Sequence, residues 1–134
     1  IRMYALVTSY MPMTCWLHRS GFCRFSSTRY SSSAATMADQ TIHLTNVAIQ
    51  KKSDTYDSET GGKWLLRELK LYLMSRYGTA IVDKLFYDME QVIVQALLSV
   101  QNVMMNDKHC FELYGFDLIF DDSFKVFIIE VNAR

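Results

Sequence analysis

The chain has 134 residues, half of them hydrophobic and 21% charged, with one Pro and five Gly. That is enough apolar sequence for one compact core and too little for two, and it excludes low-complexity, collagenous and disordered classes. The formal net charge of +0 hides an asymmetry: residues 1–38 contain Arg2, Arg19, Arg24 and Arg29 and no acid, so this stretch is +4 and the remainder is −4. An acid-free, Ser-rich, Arg-containing start also fits a mitochondrial presequence, but its apolar residues alternate as strands do rather than forming an amphipathic helix.

In chain order, Met3 to Tyr10 and Thr14 to His18 read as strands separated at Pro12, and a Gly21 turn leads into a third strand, Phe22 to Ser26. Ser26 to Thr36 is small and polar, hence a loop or locally disordered insert, and Lys51 to Gly62 is a second polar connection. His18 reads as a turn residue and His43 as a strand residue. Trp64 to Tyr77 has helical apolar spacing at Leu65, Leu69, Tyr72 and Leu73, with Gly78 placed to cap its C-terminus. Ala80 to Gln101 is a longer helix whose stripe (Val82, Leu85, Phe86, Met89, Val92, Ile93, Ala96, Leu97, Val100) is core packing.

Phe111 to Phe120 and Lys125 to Ala133 read as two strands joined by a turn at Asp121-Asp122-Ser123-Phe124, a β-hairpin. An even loop sets Phe120 against Lys125, Asp117 against Ile128 and Glu130 against Gly115. Asp117, Glu130 and Asn132 then share one face, with the two acids as diagonal neighbours about 7–8 Å apart. A carboxylate and an amide alternating on an apolar strand are costly unless they converge on something charged. Two carboxylates and an amide, with no His or Cys at ligand spacing, suit Mg²⁺ or Mn²⁺ better than Zn²⁺. Solvated strand-end acids are the plain alternative.

Cys15, Cys23 and Cys110 are odd in number and scattered, which indicates neither a disulfide framework nor a zinc site and suits a reducing cytosol. His109 and Cys110, as neighbours on a strand, would point to opposite faces and be poorly placed for proton transfer. No apolar run approaches bilayer-spanning length. Neither membrane insertion nor a nucleic-acid partner is expected.

Phe111-Glu-Leu-Tyr-Gly-Phe-Asp117 with Phe127-Ile-Ile-Glu130-Val-Asn132-Ala resembles the C-terminal ATP-grasp signature of the tubulin tyrosine ligase-like family. His43-Leu-Thr-Asn46-Val-Ala-Ile-Gln-Lys51 resembles a second signature, in the wording of its polyglutamylase branch. Arg2-Met-Tyr-Ala-Leu-Val-Thr-Ser-Tyr and Phe22-Cys-Arg24-Phe-Ser resemble the strands that precede it. The resemblance covers nearly the whole chain in the family's order.

It implies an α+β fold, the C-terminal half of an ATP-grasp fold, with an antiparallel sheet, two helices and a metal-binding hairpin. Residues 1–134 would be a partial catalytic domain truncated at both ends: the chain begins inside a strand and ends at Ala133-Arg134, where the family continues through a Ser-Pro loop. The family's earlier nucleotide-binding half, and an aspartate two residues before the position of Arg2, are missing. The implied activity is ATP- and Mg²⁺-dependent ligation of free glutamate onto glutamate side chains of tubulin tails. Thr45 and Asn46 would line the nucleotide, Arg2 and Arg24 would supply positive charge to phosphates or a substrate carboxylate, and Asp117, Glu130 and Asn132 would hold the metal. The same resemblance implies microtubule partners, accessory subunits in some cases, and a cytoskeletal or ciliary site of action. A non-catalytic nucleotide- or microtubule-binding remnant and a metal-dependent phosphohydrolase are the competing classes.

Overall fold

The computed structural model describes residues 1–54 and 62–133, which form two compact units, 1–22 with 65–133 and 23–64. The predicted polar connection Lys51 to Gly62 falls for the most part outside the described residues.

In the first unit, β1 (Arg2–Tyr10) pairs antiparallel with β2 (Met13–Leu17) along one edge and with β5 (Glu112–Phe120) along the other. β6 (Val126–Ala133) pairs with the far edge of β5, and Phe22 pairs with Arg2 beyond the end of β2. The alternation of β1 and β5 divides the sheet. Met3, Ala5 and Val7 of β1 and Tyr114, Phe116 and Leu118 of β5 are buried on one face. Two helices belong to this unit, α3 (Leu66–Tyr77) and α4 (Thr79–Val100); they pack on each other, and α4 also meets β2 and β6. The buried residues of α4 are Val82, Leu85, Met89, Ile93 and Leu97, all from the predicted stripe. The α+β expectation of a helix-covered antiparallel sheet therefore holds.

The face of α3 differs from the expected one. Its first buried residue is Leu66, with Leu69 and Leu73, whereas Leu65 and Tyr72 are exposed. Trp64 and Leu65 form the short strand β4 (Lys63–Leu65) instead, and Glu68 Oε2 accepts from the Leu65 amide at 2.8 Å where the helix starts. Gly78, with φ 84°, ends α3 and starts α4; a side chain there would be strained for its backbone alone, since nothing lies within 4 Å of an added Cβ. Gly21 is needed for a different reason: a Cβ would come within 2.5 Å of the Arg2 carbonyl oxygen. No helix among the described residues is long and apolar enough to cross a membrane.

The hairpin loop is odd rather than even. Phe120 pairs with Val126, and Asp121 closes the turn by donating its amide to the Lys125 carbonyl at 3.0 Å. Phe124 takes a left-handed backbone, φ 64°, held by ring contacts with Tyr77 and Phe120. The Asp121 carboxylate accepts from Ser123 Oγ and from the amides of Ser123 and Lys125, bonds that hold its acid pKa below the usual value. Leu118 still faces Ile128, but Asp117 faces Glu130, so Ile129 is an extra residue, a β-bulge. Asp117 does not face Ile128, nor Glu130 Gly115, as an even loop had implied; Gly115 faces Asn132. An odd loop would have put Asp117 and Glu130 on opposite faces, and the bulge restores the parity. Ile129 is 63% exposed, so the extra residue disturbs no core.

In the second unit, β3 (Phe22–Arg24) continues through Cys23 and Arg24 beside Lys63 and Trp64 of β4, with Cys23 Sγ against the Trp64 carbonyl. The Ser-rich stretch is an organised loop ending in a single 3₁₀ turn, Ala34–Thr36. His43 is not on a strand: it closes α1 (Gln40–His43), capped by Asp39, whose carboxylate accepts from Thr41 N at 2.9 Å and Thr41 Oγ1 at 2.6 Å. A second short helix, α2 (Val47–Gln50), follows. Gln50 is the buried polar residue of this unit and uses both ends of its amide. Its Oε1 accepts from Ser27 N at 2.8 Å and Ser27 Oγ at 2.7 Å, and its Nε2 donates to the Thr41 and Leu44 carbonyls at 2.8 and 2.5 Å. Four bonds on one buried side chain tie the Ser loop to both short helices.

Two outcomes follow from these bonds. Gln50→Glu keeps the shape but turns an oxygen onto the Thr41 and Leu44 carbonyls, which costs about 3 kcal/mol and speeds exchange of the Leu44 and Gln50 amides roughly 100-fold; unchanged exchange would show that those two bonds contribute nothing. Because the folded pKa of Asp121 is depressed, its contribution is present above the unfolded value of about 3.9 and lost as pH falls through the folded one. Asp121→Ala therefore lowers thermal stability at neutral pH, and its melting temperature starts to approach wild type as pH falls below about 3.9 and meets it below the depressed folded pKa; a constant offset at all pH values would assign the loss to something other than the carboxylate.

Candidate functional site

The sheet face opposite the core carries the predicted polar residues of this unit, with apolar Leu6, Trp16 and Leu113 farther along it. The register sets Arg2, Asp117 and Glu130 in one row across β1, β5 and β6, and Tyr4, Gly115 and Asn132 in the next. Three of the four predicted groups of this unit thus converge by pairing alone, and Asn132 lies two residues along the same face as Glu130.

Side-chain bonds tighten the row. Arg2 Nε donates to Asp117 Oδ1 and Nη2 donates to Oδ2 at 2.8 Å, a bidentate pair. Arg2 Nη2 lies 4.0 Å from Glu130 Oε1, and Asn132 Nδ2 donates to the same oxygen at 3.0 Å, which leaves Asn132 Oδ1 as its coordinating atom. Exposure rises along the row, from 12% for the Arg2 side chain to 24% for Asp117 and 57% for Glu130, so the row opens to solvent at the β6 edge. Burial pushes the Asp117 carboxyl up, but the hydrogen bonds from Arg2 and on the Glu130 side outweigh it and hold the group below its usual value. The same bond raises the Arg2 guanidinium. Gly115 makes room: a Cβ there would stand 3.1 Å from Arg2 Nη1 and 3.3 Å from its Cδ.

These atoms bear on the metal expectation. Two carboxylate oxygens and an amide oxygen on one face form a hard donor set, suited to Mg²⁺ or Mn²⁺. No group of three His, Cys, Asp or Glu side chains converges among the described residues. A cation between Asp117 and Glu130 would therefore need further oxygens from water or phosphate, as Mg²⁺ commonly takes. The donor set fits such an ion, with Arg2 already on Asp117.

Arg24, Thr45 and Asn46 belong to the second unit. Arg24 ends β3 with its side chain exposed. Half-buried Thr45 and exposed Asn46 lie in the break between α1 and α2 that Gln50 braces. The Asn46 carbonyl accepts from the Ile49 and Gln50 amides, while its side chain makes no capping bond and so is not committed to the helix start. His109 and Cys110 lie in an exposed loop before β5, not on a strand; His109 Nδ1 is 3.2 Å from Asp107 Oδ1. Cys15, Cys23 and Cys110 form no disulfide among the described residues, and burial raises the thiol pKa of Cys15.

Two features had no sequence signal. The Arg2–Asp117 pair joins residues 115 apart, and only the β1–β5 register brings them together. Gln50 reads as one more polar residue of a loop-rich stretch; its spacing from Ser27 carries no periodicity that would reveal the bond.

Comparison with known proteins identifies the family. The chain is 49% identical over 133 residues to a Tetrahymena thermophila protein named "Probable alpha-tubulin polyglutamylase Ttll1", covering 99% of this chain and 32% of the relative. It is 47% identical over 133 residues to the Bos taurus protein named "Probable tubulin polyglutamylase TTLL9", covering 99% of this chain and 28% of the relative. It is 34% identical over 149 residues to the Homo sapiens protein named "Tubulin polyglutamylase TTLL5", with 98% and 11% covered. The chain spans about a third of the first of these relatives and less of the others. The family model described as "Tubulin-tyrosine ligase family" matches residues 1–134, and the chain belongs to that family.

Proposed function

We propose that this chain carries the metal- and phosphate-facing part of an ATP- and Mg²⁺-dependent ligase that adds glutamate to glutamate side chains of tubulin C-terminal tails. The observation that carries the reading is the Arg2–Asp117–Glu130 row with Asn132 beside it, on the open face of a sheet whose other face is core. The names of the similar proteins support the substrate class, since several are called tubulin polyglutamylases.

Amide formation from a carboxylate requires activation, because hydroxide is a poor leaving group. In the reading adopted here, the γ-phosphoryl of ATP passes to the acceptor carboxylate oxygen with loss of ADP. The incoming amine attacks the resulting acyl phosphate, loses a proton and expels phosphate. Bound Mg²⁺ would supply charge neutralisation at the phosphate oxygens. Asp117, Glu130 and Asn132 act as electrostatic positioners rather than proton carriers. Asn132 offers a neutral oxygen, which limits negative charge facing a triphosphate. Arg2 and Arg24 offer planar forks suited to phosphate or carboxylate, and Thr45 and Asn46 offer short polar side chains beside a break between helices. Microtubule tails and free glutamate are the partners of this reading, and the cytoskeleton, including the cilium, its place of action.

Glu130→Gln tests it, since a neutral group of equal size weakens a hard cation without changing packing. In the full-length protein, transfer of labelled glutamate to tubulin falls roughly 100-fold or more, beyond the 10–100-fold typical of a metal's outer partners, while circular dichroism and melting stay close to wild type. Transfer within a few-fold of wild type would remove Glu130 from the site.

A further inference from the structure

Arg2 and Asp117 hold each other with the atoms that ligand binding needs. Nε and Nη2 of Arg2 engage both oxygens of Asp117, and Nη2 also lies within 4.0 Å of Glu130. Inner-sphere binding of a divalent cation draws on the same two carboxylate oxygens, and an ion between Asp117 and Glu130 would stand against the guanidinium, like charge against like. The two states compete at Asp117. Metal-free, the guanidinium is the one charge between two facing carboxylates, which would otherwise repel. The stem of Arg2 passes over Gly115, where the missing side chain leaves its path along the strand open.

We propose that Arg2 is the resident counter-cation of the site: it holds Asp117 and Glu130 in register while no metal is bound, and a divalent cation displaces it from Asp117. The inference rests on the metal reading above and extends it to how the site loads. Arg2 is a positioning residue in the metal-free state, and its fork is released to an oxyanion only after the cation arrives. Cation and anion binding are then coupled through one side chain, each favouring the other.

The test is a pair of crystal structures of the full-length protein, grown with and without Mn²⁺, together with calorimetric Mn²⁺ titrations of wild type, Arg2→Gln, Arg2→Lys and Asp117→Asn. The bidentate pair is present without metal and broken with it. Arg2→Gln binds Mn²⁺ about tenfold more tightly than wild type, because no charge-assisted pair has to be broken, and Arg2→Lys, a single-point donor, falls between. Metal-free Arg2→Gln melts lower than wild type and Mn²⁺ closes the gap. Mn²⁺ seated on Asp117 with the Arg2 bonds intact, or weaker binding by Arg2→Gln, would overturn the exchange while leaving the metal site standing. Equal Mn²⁺ affinity in wild type and Asp117→Asn would overturn the metal reading and the exchange with it.

Discussion

Two carboxylates directly opposite one another on adjacent strands repel, and the geometry of this site is organised around that repulsion. Asp117 and Glu130 are such a pair, and Arg2 sits on the third strand of the same row. Placing the arginine on β1 rather than on a loop has a physical consequence. Its backbone is fixed by pairing to Phe22 on one side and Asp117 on the other, so its reach is set by rotamers alone. The core beneath holds this frame still: Met3 and Phe116, next along the chain from Arg2 and Asp117, are paired with each other and buried. A rigid apolar face under a charged face lets three ionisable groups keep one geometry without a loop to hold them.

Parity is the second constraint, and it depends on two irregularities that cancel. The loop after Phe120 is odd because Phe124 takes a left-handed turn position and packs its ring on Tyr77 and Phe120. Left alone, that loop would send Glu130 and Asn132 to the face of Phe116 and Leu118, away from Asp117 and Arg2. The bulge at Ile129 cancels it. The pairing of Glu130 with Asp117 therefore depends on the bulge, and the exposed Ile129 is where the ladder yields.

The sequence was legible where periodicity is strong. The stripe of α4 and the strands β1, β5 and β6 follow from apolar spacing of 3.6 and 2, and the shared face of Asp117 and Glu130 was foreseen, though from an even loop that does not exist. Bulge and odd loop compensate invisibly at the level of one-letter code. The start of α3 is not legible at Leu65 and Leu66, because a strand and a helix meet there without a break and apolar residues on both sides blur the two periods. The helix that ends at His43 has one buried apolar residue, Ile42, too few to show a period and distinguish it from a strand. Thr45 and Asn46 were named through resemblance alone, with nothing in their spacing to mark them.

The two units solve the problem of positioning polar groups differently. In the first, backbone pairing does the placing and side-chain bonds only refine it. In the second, helices of four residues cannot sustain themselves, since so short a run leaves most of its terminal amides and carbonyls without helical partners. Side chains take over that role: Asp39 caps α1, Ser26 Oγ binds the Thr41 carbonyl, and Gln50 closes four bonds from beneath. Thr45 and Asn46 sit in the segment those bonds brace, so their backbone is held by a buried polar hub rather than by an apolar core. Such a hub tolerates no partial loss, because each unmade bond leaves a buried partner unsatisfied. A substitution at Gln50 should therefore reach Thr45 and Asn46 through the backbone, since its four side-chain bonds go to Ser27, Thr41 and Leu44.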